Sequence, residues 1–180
     1  MISVEEEILQ LKQVISELQN YLVHSGHAID EDIALGAMIE VPSAALNAEN
    51  LAKHLDFMSI GTNDLTQYTM AVDRGNEKIC SLYQQYHPSL WKLIKITSEA
   101  ASKTNTEITV CGELAGNVLG ACGLFGLGIK NLSMISNAIP KVKEELISHS
   151  DSEFIELAES FLEASNTTQI KEIFEDWRIY

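Results

Sequence analysis

The chain has 180 residues, 46% hydrophobic and 21% charged, a balance that suits one folded domain with a real core and excludes a disordered chain. Its 26 acidic and 12 basic residues leave a formal net charge of -14. That charge excludes nucleic acid as a partner held through its phosphate backbone, which needs a clustered basic surface. An anionic small molecule would have to be held by local cations, helix N-termini or a metal such as magnesium.

The opening run "MISVEEEILQLKQVI" carries acids where a signal peptide would carry basic residues. No stretch approaches the roughly 18 unbroken apolar residues of a membrane span, so no membrane partner is expected. Cys80, Cys111 and Cys122 form no CxxC pair and no zinc-ligand spacing, which predicts free thiols in the cytoplasm.

From Val4 to about His24 the residues Val4, Ile8, Leu11, Ile15, Leu18 and Leu22 form one apolar stripe, predicting an amphipathic helix that faces a core. "IALGAMIEVP" (Ile33 to Pro42) reads as a strand interrupted by Glu40, with Pro42 opening the helix "SAALNAENLAKHL". "FMSIG" is a second strand; after a polar connection, "PSLWKLIKITSEAASKT" (Pro88 to Thr104) is a helix. "EITVCGELAG" is a third strand ending in glycine, followed by an apolar helix, Val118 to Leu127, and a strand "NLSMI", Asn131 to Ile135. A helix starting at Pro140 and two amphipathic helices with Asp151 and Thr167 as expected N-caps complete the chain. This divides it into a leading helix (1–32), strand and helix alternations (33–150) and C-terminal helices (151–180).

Apolar strands separated by helices imply a parallel sheet covered by helices, in an α/β fold. A doubly wound sheet would be complete at this length, whereas a (β/α)8 barrel of about 250 residues would be only half present. Either way, ligands sit beyond the carboxyl ends of the strands. The alternations put Glu40, then Gly61, Thr62, Asn63 and Asp64 with Arg74 beyond, then Cys111, Gly112 and Glu113, then Ser133 on that rim. Glu40 reads either as an exposed residue where its strand stops or as a carboxylate compensated by a cation. Asp64 is either the N-cap of a helical turn or a partner to Glu40 in a magnesium site that leaves positions open for water and a phosphorylated substrate. Gly61 and Gly112 permit close backbone approach or positive φ. Arg74 suits a phosphate or carboxylate, or an ion pair with Asp73 or another acid. Cys111 at its strand end is a candidate proton donor or nucleophile, whereas Cys80 and Cys122 read as inert core thiols. The five histidines support no catalytic ordering, and the glycines of "GACGLFGLG" are expected to serve close helix packing.

"MSIGTNDLTQYTMAVDRGN", "GAMIEVPSAAL" and "VCGELAG" resemble the signature segments of the phosphoenolpyruvate-utilising enzymes, most of all the enzyme I branch of the phosphoenolpyruvate:sugar phosphotransferase system. The resemblance runs in order from "MISVEEEI" through "LSMISNAIPKVK". It implies the second half of a (β/α)8 TIM barrel with extra C-terminal helices, binding phosphoenolpyruvate and Mg2+. By motif, Glu40 and Asp64 match the metal ligands and Asn63 and Arg74 the residues holding the substrate's anionic groups. Gly61 and Thr62 match the loop whose backbone lies against substrate, and Cys111 the catalytic acid that completes pyruvate. The phosphoryl group would pass to a histidine on a swivelling domain outside this sequence, and a phosphocarrier protein would engage through segments also outside it. The chain alone is therefore expected to lack phosphotransfer activity, and its uncovered edges to favour a homodimer. Asn117 stands where the family usually has aspartate. The pyruvate phosphate dikinase and phosphoenolpyruvate synthase branch, and a non-catalytic interaction module, are the alternatives.

Overall fold

The computed structural model describes residues 1–30 and 32–178 and contains a four-stranded parallel sheet with helices packed against it. The strands are β1 (Gly36–Ile39), β2 (Phe57–Gly61), β3 (Glu107–Cys111) and β4 (Asn131–Leu132). They lie in the order β1-β2-β3-β4, each beside its predecessor in sequence. Ile39 pairs with Ile60, Ile60 with Val110, Gly61 with Cys111, and Val110 with Leu132. All four strands therefore end on one rim.

Alternation along the strands decides which face is covered. Ala37, Ile39, Met58, Ile60 and Val110 are buried on one face, against helices. The opposite face carries Met38, Phe57, Ser59, Thr109 and Cys111, and stays partly open; Met38 is 37% exposed.

The connecting helices are largely those the periodicity predicts. Pro42 occupies the first turn of α2 (Pro42–Leu46), where its missing N–H costs nothing. The expected single helix breaks at Asn47, which ends α2 and starts α3 (Ala48–Ala52), its side chain accepting from the Asn50 amide at 2.8 Å. The predicted polar connection after β2 is instead a helix, α4 (Thr62–Met70), capped by Gly61. α5 (Pro88–Thr104) begins at the expected proline and buries Trp91. A short α6 (Glu113–Gly116) follows β3, and α7 (Val118–Gly126) crosses the core. There the glycines do serve packing: a side chain at Gly126 would run into the Phe154 carbonyl, and one at Gly123 would stand 2.6 Å from the Trp91 ring.

The C-terminal helices are α8 (Ile139–Leu146), α9 (Asp151–Glu163) and α10 (Thr167–Trp177). Their caps sit one residue earlier than expected. Ser150, not Asp151, caps α9, and Asn166, not Thr167, caps α10 by accepting from the Gln169 N–H at 2.9 Å. Each displaced residue is the first helical one, and its neighbour in extended backbone aims the side chain at the free amides. The strand expected through Ile135 stops at Leu132, with one further ladder bond from the Ser133 N–H to the Val110 carbonyl at 2.8 Å.

The leading helix α1 (Glu5–His24) forms as expected, but its stripe does not face a core along its length. Ile8 is buried against the core and Ile15 is half-buried, while Val4, Leu11, Leu18 and Leu22 are exposed. The helix start is tied by a 2.6 Å contact between His54 Nε2 and Glu5 Oε1, and α1 lies against α3.

Candidate active site

Glu40 comes directly after β1, and its side chain is only 16% exposed. It is thus a partly buried carboxylate rather than an exposed strand end. A Cβ placed on Gly61 would stand 3.1 Å from both the Cβ and Oε2 of Glu40 and 3.1 Å from Met38 Sδ. The missing side chain at Gly61 is what gives Glu40 its place. Gly61 itself has φ -86°, so of the two expected uses of a strand-end glycine it serves close approach and not positive φ. Glu40 Oε1 also lies 3.9 Å from the Met1 ammonium.

Three residues past Gly61, Asp64 stands half-buried in the first turn of α4. It is not the N-cap, because the helix starts at the strand's end and Gly61 fills that position. An acid there favours the positive helix end. Thr62 is buried, and its hydroxyl donates to the Cys111 carbonyl at 3.0 Å, binding the ends of β2 and β3 together. Asn63 reaches the same junction: its Oδ1 accepts from the Glu113 N–H at 3.2 Å.

Gly112 carries the positive φ, +111°. A side chain there would meet Thr62 Oγ1 and come within 3.2 Å of Asn63 Oδ1. This glycine lets the chain leave β3 tightly enough for Asn63 to touch Glu113.

The Cys111 thiol is half-buried on the open face of the sheet. Its Sγ lies 3.7 Å from Ser59 Oγ, 3.7 Å from Met38 Sδ and 3.6 Å from the Ile60 carbonyl. Thr109 donates to Ser59 at 3.0 Å, so a short hydroxyl row leads to the sulfur. Cys122 is fully buried as expected, and burial pushes its thiol up to about 12. Cys80 is not a core thiol; it sits exposed in a 3-10 turn, Cys80–Leu82.

Arg74 is exposed, with Nη1 4.0 Å from Glu113 Oε1 and its backbone N–H donating to Gln67 Oε1 at 3.3 Å. The pair is solvent-facing and loose, which leaves the guanidinium fork free to engage an anion. Between the ends of β2, β3 and β4 lies a cavity of about 410 Å³ lined by Asn63, Gly112, Glu113, Ser133, Met134 and Ile135. A larger one, about 620 Å³, opens beside Asn105, Thr106 and Glu107 at the other end of the sheet, away from the rim residues.

The structure thus joins Glu40 to Gly61, Gly61 to Cys111 by register, Thr62 to Cys111, Asn63 to Gly112 and Glu113, and Arg74 to Glu113. Sequence reasoning missed Ser59, Thr109 and Tyr83. The first two had a signal, as polar residues sharing the Cys111 side of apolar strands. Tyr83 had none, since its hydroxyl donates to the Asn63 carbonyl, 20 residues away, at 3.2 Å. Among the described residues no three His, Cys, Asp or Glu side chains gather as a metal cluster, and no helix is long and apolar enough to cross a membrane.

Parallel strands ending on one polar rim define an α/β protein of the class that works at the carboxyl ends of its sheet. Residues 1–151 match the family described as PEP-utilising enzyme, PEP-binding domain, and the chain belongs to that family. It is 42% identical over 175 residues to the phosphoenolpyruvate-protein phosphotransferase of Borreliella burgdorferi, covering 97% of this chain and 30% of that protein. The protein of that name from Haemophilus influenzae is 42% identical over 177 residues, with 98% and 31% covered. That from Bacillus subtilis is 39% identical over 170 residues, with 94% and 30% covered. The chain therefore spans less than a third of the length of these curated relatives.

Proposed function

We propose that this chain is the second half of a (β/α)8 barrel that binds phosphoenolpyruvate and magnesium, and that it serves phosphoryl transfer from phosphoenolpyruvate to a histidine in a longer protein. The observation that carries the reading is the rim itself: Glu40 fills the space left by Gly61, whose register partner is Cys111. The barrel reading is supported by a strand order without reversal and by a sheet with one face under helices and the other, bearing Cys111, left open.

Glu40 and Asp64 offer hard carboxylate oxygens, and the cradle that a Cβ at Gly61 would fill keeps Glu40 in place. Magnesium suits that donor set, with water and substrate oxygens completing the shell; when bound it neutralises charge on the phosphoryl oxygens. The Arg74 fork and the Asn63 amide hold the substrate's anionic groups, and the backbone at Gly61 and Thr62 lies against it. As the phosphoryl group leaves, its bond to the enol oxygen breaks and a bond to the acceptor nitrogen forms. The Cys111 thiol then gives its proton to the methylene carbon of the enolate, yielding pyruvate, and the thiolate recovers a proton from solvent. The acceptor histidine and the segments that engage a separate phosphocarrier protein lie elsewhere in the longer protein, so the isolated chain turns nothing over. The unpaired outer edges of β1 and β4 and the open face favour a homodimer, and the setting is the cytoplasm.

Calorimetry on the isolated chain tests the site. Saturable, magnesium-dependent binding of phosphoenolpyruvate is expected, about tenfold weaker in Arg74→Gln, a loss typical of a charge-assisted contact, and unchanged in Cys111→Ala. Binding indifferent to magnesium and to Arg74 would refute the reading. Pyruvate release by this chain with a phosphocarrier protein, at the rate of an intact enzyme, would refute its dependence on other segments.

A further inference from the structure

Arg74 rides on the segment from Ala71 to His87 that joins α4 to α5. Near its start Val72 is buried, with its N–H donating to the Gln67 carbonyl at 3.0 Å, and Arg74 donates to the Gln67 side chain at 3.3 Å. From Asp73 to Leu82 every residue except the half-buried Ile79 is exposed, and the local bonds in this stretch, such as Gly75 N–H to Asp73 Oδ1 at 2.8 Å, only shape turns. Nothing in them ties the loop to the rim.

After Ile79, the next residue to turn back in is Tyr83. It is half-buried, and its hydroxyl donates to the Asn63 carbonyl at 3.2 Å. Asn63 is the residue whose side chain holds the Glu113 N–H, and Glu113 is the acid 4.0 Å from Arg74. The loop is therefore tied at one end to Gln67 and at the other to Asn63, both on α4, with Arg74 between the two ties. Shortening the free span this way removes conformations in which Arg74 swings off the rim. Burial pushes the Tyr83 phenol up, partly offset by Thr66 and Arg74, so the hydroxyl remains a donor at neutral pH.

We infer that Tyr83 is a positioning residue of this site: by donating its hydroxyl to the Asn63 carbonyl it fixes the far end of the exposed 73–82 span, ahead of the part of the segment held by buried Tyr86 and by Gln84 accepting from Thr167 at 2.7 Å, and holds Arg74 over the rim. This rests on the reading of Arg74 as an anion-binding residue. Tyr83 touches no substrate in this account; it acts through the backbone of Asn63 and the path of the loop.

Tyr83→Phe keeps the ring and removes only the donor. Hydrogen exchange on the isolated chain is expected to show amides 74–82 exchanging at least about threefold faster in Tyr83→Phe, with those of α5 and β3 unchanged. Magnesium-dependent affinity for phosphoenolpyruvate is expected to fall about three- to tenfold, the size of one lost hydrogen bond. In an Arg74→Gln background the same change is expected to cost less than about twofold, because a positioning residue has nothing left to position. A purely structural tyrosine would cost the same in both backgrounds, and that result would overturn the inference, as would unchanged exchange in the loop. If the unmutated chain binds no phosphoenolpyruvate, the proposed function fails, and the exchange comparison alone decides whether Tyr83 pins the loop.

Discussion

Two glycines a strand apart on the rim do different work, and substitution separates them. Gly112→Ala puts a side chain at φ +111° and into Thr62, so a loss of about 1–3 kcal/mol in urea unfolding is expected from backbone strain. Gly61 has an ordinary φ, so Gly61→Ala mainly pushes on Glu40; its expected signature is weaker magnesium binding with less than about 1 kcal/mol lost in the same unfolding measurement. The thiols also divide. Timed alkylation followed by mass spectrometry is expected to modify exposed Cys80 first, Cys111 next, and Cys122 only after unfolding, since that buried thiol is pushed up to about 12. Reaction of Cys122 in the folded chain would contradict the packing of α7. At this scale Glu40 and Cys111 were legible because each is a polar residue closing an apolar strand. Tyr83 was not, because its one informative contact crosses an exposed loop.

Among the elements, the start of α9 gives a pH prediction with a fixed sign. The Ser150 hydroxyl and N–H donate to Glu153 at 2.6 and 2.7 Å, and they hold its carboxyl below the usual carboxylate range. A carboxyl lowered by folding stabilises the fold above its unfolded value and loses that contribution as pH falls through the folded one. Thermal unfolding followed from pH 6 to pH 3 is expected to fall more steeply for the natural chain than for Glu153→Gln; parallel slopes would contradict it. Ser150→Ala is expected to cost about 1 kcal/mol at neutral pH as the cap is lost. Most elements could be read from periodicity and prolines, as α5 and β2 were. α4 was not, because "TNDLTQYTM" has almost no apolar stripe, and its helix is held by the burial of Leu65 and Thr66 and by the Thr66 hydroxyl donating to the Thr62 carbonyl at 2.7 Å. The stripe of α1 was legible, but what covers it is a tertiary fact that local pattern does not contain.

For the molecule as a whole, the open sheet face, the two unpaired edges and the exposed stripe of α1 leave apolar surface that water disfavours. Mass measured in solution is expected to show a dimer that dissociates on dilution, and a monomer at all concentrations would contradict the homodimer. On the proposed reading, the rim acids Glu40 and Asp64 hold a metal beside a phosphorylated substrate. A chain of net charge -14 has many other acids to attract a cation, including Glu5, Glu6 and Glu7 at the start of α1, so location matters more than affinity. The most direct measurement is paramagnetic broadening by manganese, as a stand-in for magnesium, in the presence of phosphoenolpyruvate. Substoichiometric manganese is expected to broaden the amides of Glu40, Gly61 to Asp64 and Cys111 to Glu113 together with the substrate's phosphorus signal, and Glu40→Gln with Asp64→Asn to abolish both effects. Broadening confined to α1, or rim and phosphorus signals untouched by the double substitution, would contradict that reading.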